Sequence, residues 1–276
     1  MGDRVRMTCR GVVFLLTLGA ADADPPPLDL EATCRKVQDV LAQVRGLPWR
    51  EPVLSEVVTL DRLRELLSEE IRRTSGEEGI AREEKSLRRL GLIAPDASLL
   101  ALYLDAMAPQ VAGLYLPSQG RFVMVDAYRS LAGQILAHEL QHAMQDQHVD
   151  LDRLDAMSEE NADRATAFHA VIEGEAEFVA GLCLPRLAEV LPQDPPRAGE
   201  VYQMLTAVLV SSGAPDFMME DALVSYVGCK MLVASVHEQG GWEAVDRLLR
   251  EPPPSTEQIL HPDKRASGEP PREVSL

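Results

Sequence analysis

Between about Ser130 and Gln147 the chain carries a helical pattern that is apolar on two opposed faces. Leu131 and Ile135 share one face with His138 and His142, while Leu136, Leu140 and Ala143 line the other. A helix apolar on both sides is buried, so the fold must wrap other elements around this one. His138, Glu139 and His142 then enter the core and need partners there, because a buried polar group without one is costly.

The spacing supplies a candidate partner. In His138-Glu139-Leu140-Gln141-His142 the two imidazoles stand four residues apart, about 40° apart around a helix of 3.6 residues per turn, so both can address one metal ion. Glu139 lies about 100° from His138, placed to reach a metal-bound water rather than the metal. Two neutral nitrogens and an adjacent base are what hydrolytic zinc requires. Chance produces such a pattern in on the order of one chain per hundred of this size, so the apolar flanks carry part of the weight.

One helix provides two ligands, and a third must come from elsewhere. Val171-Ile172-Glu173-Gly174-Glu175-Ala176-Glu177 offers three carboxylates on a second long helix, expected over Ser158 to Leu184 and ending at Pro185. Glu175 sits about 200° from Glu173, so the two cannot face one metal; Glu173 and Glu177, one turn apart, can. Ala176 and Ala180 are small enough to let this helix approach the first closely.

The periodicity switches just before the first helix. Val111 to Leu116 and Arg121 to Val125 are β-rich runs around Pro117-Ser118-Gln119-Gly120, which predicts a hairpin. Elsewhere the apolar spacing is helical: Leu28–Val44; Leu54–Arg73, with Val57, Leu60, Leu63, Leu67 and Ile71; Ala81–Leu90; then Val201–Val210, Ala222–Glu238 and Trp242–Arg250. Gly76 to Gly79 and Gly240-Gly241 punctuate the pattern, and Ser130 is the expected N-cap of the His138 helix. Ser255-Thr256-Glu257-Gln258 has the form of a capping box. The resulting expectation is an α+β, predominantly helical fold with a small hairpin preceding the metal helix. It divides into a helical N-terminal segment at 24–94, a catalytic domain at 95–265 and a disordered tail at 266–276.

Arg4, Arg6 and Arg10, the apolar run Val12–Leu18 and Ala21-Asp22-Ala23 read as a secretory signal peptide over residues 1–23, cleaved near Ala23. The expected location is therefore secreted or periplasmic, with no membrane span after signal removal. Cys34, Cys183 and Cys229 then remain, allowing at most one intramolecular disulfide and lacking the spacing of a zinc cage. With 44 acidic residues against 27 basic ones, the formal charge of −17 repels phosphate backbones and argues against nucleic acid.

The motif pair His138-Glu139-Leu140-Gln141-His142 and Glu173-Gly174-Glu175-Ala176 resembles the gluzincin zinc metallopeptidases. More weakly, the hairpin, Gly240-Gly241-Trp242 and Pro254–Pro262 are similar to a group of uncharacterised bacterial and archaeal metallopeptidases. The resemblance covers about Val111 to Lys264. It implies a zincin-like core and a Zn2+ ion held by His138, His142 and Glu173. Glu177 would support a zinc-bound histidine, with the exchange of roles between Glu173 and Glu177 still open. Glu139 would act as general base on a peptide or protein substrate. His261, and after it Tyr226, are candidate oxyanion donors, and His169 is either a supporting or a packing residue. Two rivals stand beside this expectation. A di-iron carboxylate bundle needs a second Glu-x-x-His, which the chain lacks. A secreted, non-catalytic binding or assembly protein would have no use for Glu139.

Overall fold

A small sheet separates two of the core's three apolar clusters. The computed structural model describes residues 27–108, 111–149, 151, 161–191 and 229–272. Helix α1 (Leu30–Arg45) is capped by the Asp29 carboxylate, which accepts from Ala32 N at 2.9 Å, and ends on Gly46 at φ 72°. Strand β1 (Leu54–Val58) follows, then α2 (Leu60–Arg89), α3 (Leu99–Met107), and the hairpin of β2 (Gly113–Leu116) and β3 (Arg121–Val125). Helix α4 (Ala132–His148) and helix α5 (Ala162–Val190) come next; α6 (Cys229–Arg250), α7 (Glu257–Leu260) and α8 (Pro262–Ser267) complete the described elements.

β3 is the central strand of a three-stranded sheet ordered β1-β3-β2. β2 pairs antiparallel to it, Gly113 opposite Met124, and β1 pairs parallel, Leu54 opposite Arg121. Alternation along β3 divides the core. Phe122 and Met124 face Ile135, Leu136 and Leu140 of α4 and Val37 and Leu41 of α1. Val123 and Val125 face Leu63 and Leu67 of α2 and Leu99 of α3. Successive side chains of a strand point to opposite faces, so helices cover both faces and every residue of β2 is buried. A third apolar cluster joins Phe168 and Val171 of α5 to Val233 and Val245 of α6.

The protein is mostly helical with this small sheet, and several boundaries differ from the sequence expectation. Leu54–Val58 forms a strand, not the start of a helix. The helix begins at Leu60 after Thr59, whose side chain accepts from Arg62 N at 3.2 Å. Val57 fits a helical period by coincidence, since its neighbour Val58 is β-branched too and the parallel ladder to β3 takes both. The N-terminal segment is therefore woven into the same sheet as the hairpin. Gly76 interrupts α2 with a single φ of 63°, after which the helix resumes.

The N-cap of α4 is Leu131, following a tight turn over Asp126–Leu131, rather than Ser130. Helix α5 continues through Pro185 to Val190. An interior proline costs about 3 kcal/mol, offset here by burial of Cys183 and Leu187 against α1 and α4. The capping box at Ser255 does not form. Thr256 instead precedes α7, and its N and Oγ1 are taken by the Asp163 carboxylate of α5, the Oγ1 bond being 2.6 Å. Helix α8 extends to Ser267, two residues into the segment expected to be disordered. The signal-peptide residues 1–23, the helix expected at 201–210 and residues 222–228 lie outside the described residues. Among the described residues no helix is long and apolar enough to cross a membrane.

Candidate metal centre

α4 and α5 pack side by side, and their facing turns bring three ligand atoms together. His138 Nε2 and His142 Nε2 lie 3.0 Å apart, and Glu173 Oε2 lies 3.4 Å from the first and 3.5 Å from the second. All three residues are buried, and together they could hold a metal ion. Tetrahedral coordination with bonds of about 2.0–2.1 Å separates neighbouring ligand atoms by about 3.3 Å, so the observed triangle has the size of one metal. Neither oxygen of the Glu173 carboxylate, which is fully buried, receives a hydrogen bond. A buried carboxylate in that state calls for a cation. The residues therefore fit the group that the motif implies.

The surroundings support the same point. His138 Nδ1 is 2.9 Å from Glu177 Oε1, and Lys230 Nζ of α6 is 3.7 Å from Glu177 Oε2. His142 Nδ1 is 2.8 Å from Gln145 Oε1. Both rings turn their Nε2 inward; His142 Nδ1 is hydrogen-bonded to Gln145 and His138 Nδ1 is ion-paired with Glu177, outer partners of the kind that metal-ligating histidines have. Of the two exchangeable glutamates, Glu173 lies inside the ligand triangle and Glu177 outside it, behind His138. His169, one turn before Glu173, places its Nε2 3.4 Å from Glu173 Oε1, where it acts on the carboxylate through charge and not through a hydrogen bond.

Charge in the site is coupled. Burial pushes His138 down, but the carboxylates of Glu173 and Glu177 outweigh it and raise its pKa to about 10. His142 is also raised: burial lowers it, and Glu173 more than compensates. Burial alone would lift Glu173 and Glu177. The neighbouring imidazoles hold both well below the usual carboxylate range, with Lys230 assisting at Glu177. Without a metal, protons on the rings supply the positive charge that the carboxylates demand.

Glu139 is oriented differently. Its Oε2 accepts from the backbone N–H of Tyr115 at 2.7 Å, on the side of β2 that points away from β3, while the buried Oε1 has no hydrogen-bond partner. Burial pushes its pKa up to about 7, the nearby histidines pulling against the rise.

Of the weaker candidates, His261 is not brought to the cluster. His261 is exposed at the junction of α7 and α8, and its side chain makes no hydrogen bond or ion pair to the site. Tyr226 lies outside the described residues. Cys34, Cys183 and Cys229 are buried and free; burial raises their thiols to about 11, 12 and 12, and no disulfide joins them.

Sequence reasoning missed a buried polar group behind the site. Glu175, on the other side of α5 from Glu173, binds Arg45 of α1 and both Gln141 and Gln145 of α4. The signal was present: Gln141 and Gln145 fall within the stretch of α4 that the apolar pattern buries, and Glu175 is a third acid on a helix with two apolar neighbours. Gly174 is also structural. A Cβ there would stand 2.5 Å from the carbonyl carbon of Cys229, so glycine sets the approach of α5 to α6.

Comparison with protein-family models, with curated proteins and with solved structures finds no match. The class defined by fold and site is thus a mostly helical α+β protein with a buried two-histidine, one-glutamate cluster able to hold a metal ion.

Proposed function

We propose that this protein is a zinc-dependent peptidase of the gluzincin type with a zincin-like core, acting on peptide or protein substrates outside the cytoplasm. The observation that carries the reading is the convergence of His138 Nε2, His142 Nε2 and Glu173 Oε2 beside a glutamate with one oxygen held and the other free. Three protein ligands from nitrogen and oxygen, leaving a fourth position open, are the set of catalytic rather than structural zinc. Bound there, zinc supplies a Lewis acid that polarises a carbonyl and acidifies water to a pKa of about 7.

Glu139 is the general base. Tyr115 N–H fixes its Oε2, so Oε1 is the atom that takes the proton from water and later delivers it to the departing amine. A pKa of about 7 suits a group that must both accept and release a proton near neutrality. Glu177 and Gln145 hold the rings of His138 and His142 in place. The basic, then apolar, then small-residue order of residues 1–23 supports export.

The test is cleavage of a panel of unfolded proteins by the full-length or naturally processed protein, with and without chelator, beside Glu139→Gln. Cleavage that needs the metal, with one zinc bound per chain, and that is lost in Glu139→Gln although its zinc is retained, supports the proposal. One zinc per chain with no metal-dependent cleavage by the intact protein favours a binding protein instead, and two irons per chain overturn the zinc reading altogether.

A further inference from the structure

We propose that the series Asp246, Arg45, Glu175 and Gln145, half-exposed at Asp246 and buried from Arg45 inward, is a positioning device for His142, which makes α1 a working part of the metal centre rather than a removable cover. The inference rests on the zinc-site reading above. Gln145 has one possible orientation. Its Nε2 donates to Ile172 O at 2.9 Å and to Glu175 Oε2 at 2.6 Å, both pure acceptors, so the end facing His142 Nδ1 at 2.8 Å is the amide oxygen. An amide oxygen only accepts, so Nδ1 bears the hydrogen of the neutral ring. The Nε2 lone pair is thereby left facing Glu173 and His138, where a metal must be met.

His138 and His142 are thus set by different means. A carboxylate stands directly behind His138. Behind His142 the carboxylate is one residue further out, with an amide between. Glu175 in turn is pinned from two sides: Gln141 Nε2 donates to its oxygens at 3.0 and 2.9 Å, and Arg45 Nε donates to Oε1 at 2.7 Å. Arg45 continues to Asp246 of α6 and stacks over the Trp242 ring, its guanidinium carbon 4.6 Å from the ring centre. Arg45 and Glu175 are almost wholly buried, with side-chain exposures of 2% and 0%. Apolar residues hold helices together as well as a buried ion pair does, and helix packing gives no reason for two glutamines to converge on Glu175. Orientation of an amide does give one.

The experiment is zinc affinity, measured by competition with a chromophoric chelator, for the intact protein, Glu175→Gln, Gln145→Glu and the double exchange. In Glu175→Gln the amide at 145 loses the carboxylate that orients it, and in Gln145→Glu two carboxylates are opposed. Each single change is expected to weaken zinc binding about 10–100-fold, the usual cost of losing an outer partner of a metal ligand. The double exchange puts a carboxylate directly behind His142 Nδ1 and an amide between it and Arg45, but leaves that carboxylate against Ile172 O and an amide N–H against Gln141 Nε2, so it is expected to recover part of the loss and bind zinc more tightly than either single variant. An ion pair that merely packed helices would not recover, since Arg45 still lacks its carboxylate.

A 1H–15N correlation of the histidine rings in the zinc-loaded original protein reads the geometry without any variant: His142 must carry its hydrogen on Nδ1. Zinc on Nδ1, single variants within about threefold of the original, or a double exchange no tighter than the singles would each overturn the proposal. Hydrolysis is not among these readouts. A protein that grades its zinc affinity in this way yet cleaves nothing sinks the peptidase reading and leaves the relay standing.

Discussion

The backbone N–H of Tyr115 donates to Glu139 Oε2 at 2.7 Å, tying an acid of α4 to the side of β2 that faces away from β3. A carboxyl group raised to about 7 from an ordinary value of 4.5 destabilises the fold when it is charged. That contribution is absent below pH 4.5 and complete above pH 7. Glu139→Gln keeps an oxygen for Tyr115 N–H and removes the buried charge. The metal-free variant is expected to be more stable than the original by about 3 kcal/mol at pH 8, and no more stable at pH 4.5. Urea denaturation at the two pH values checks it.

His138 and Glu173 give the metal-free protein a pH optimum that the metal abolishes. His138 is raised to about 10, so its stabilising proton is fully present below about 6.5 and is lost as pH rises towards 10. Glu173 and Glu177 are depressed, so their contribution is present above 4.5 and is lost on acidification. Thermal melting of the metal-free protein should peak between those limits, near pH 5–6.5, and fall towards pH 9. Zinc replaces the ring protons, so the zinc-loaded protein should show no such fall, and zinc uptake at pH 7 should release protons to the buffer, measurable by calorimetry in buffers of different ionisation enthalpy.

Glu173 and Glu177 should separate cleanly in metal content. Glu173→Ala removes one of three ligands and is expected to leave the purified protein without stoichiometric zinc. Glu177→Ala removes only the group behind His138 Nδ1 and is expected to weaken zinc about 10–100-fold while retaining one ion per chain at saturation. Atomic absorption on both variants decides. Loss of the site in Glu177→Ala alone would reverse the assignment of the two residues.

Gly174 should not tolerate even a methyl group. Its added Cβ meets backbone atoms of Cys229 at 2.5 and 2.7 Å, and backbone cannot swing aside as the end of a side chain can. Gly174→Ala is expected to cost about 3 kcal/mol, the upper end of overpacking penalties, and to weaken zinc binding by displacing the adjacent Glu173. Chemical denaturation and chelator competition measure the two effects.

The two halves of the candidate cluster were legible because each is built from local geometry. A separation of four residues on a helix fixes the relative direction of His138 and His142 whatever surrounds them. The same rule placed Glu173 and Glu177 on one side of α5 and Glu175 on the other. The hairpin was legible because a period of two around a Pro- and Gly-containing turn has few other solutions. Beyond local geometry the sequence was ambiguous or silent. Leu54–Val58 satisfied a helical spacing and became a strand, since the backbone partner that decides the matter, β3, lies more than sixty residues away. Pro185 ought to stop a helix and does not, because buried contacts on either side outweigh one lost hydrogen bond.

The amino-acid order by itself determined which side chains share a turn, and hence the two imidazoles, the neighbouring base and the carboxylates offered to them. Only the tertiary structure decided that α1 reaches the site through Arg45, that Glu175 serves Gln145 rather than a metal, and that Tyr115 holds Glu139. Periodicity along one helix is set by covalent geometry, whereas contacts between distant segments depend on how buried surfaces and polar partners are satisfied together. Arg45 and Glu175 are 130 residues apart in the chain and 2.7 Å apart in space, and no local pattern carries that distance.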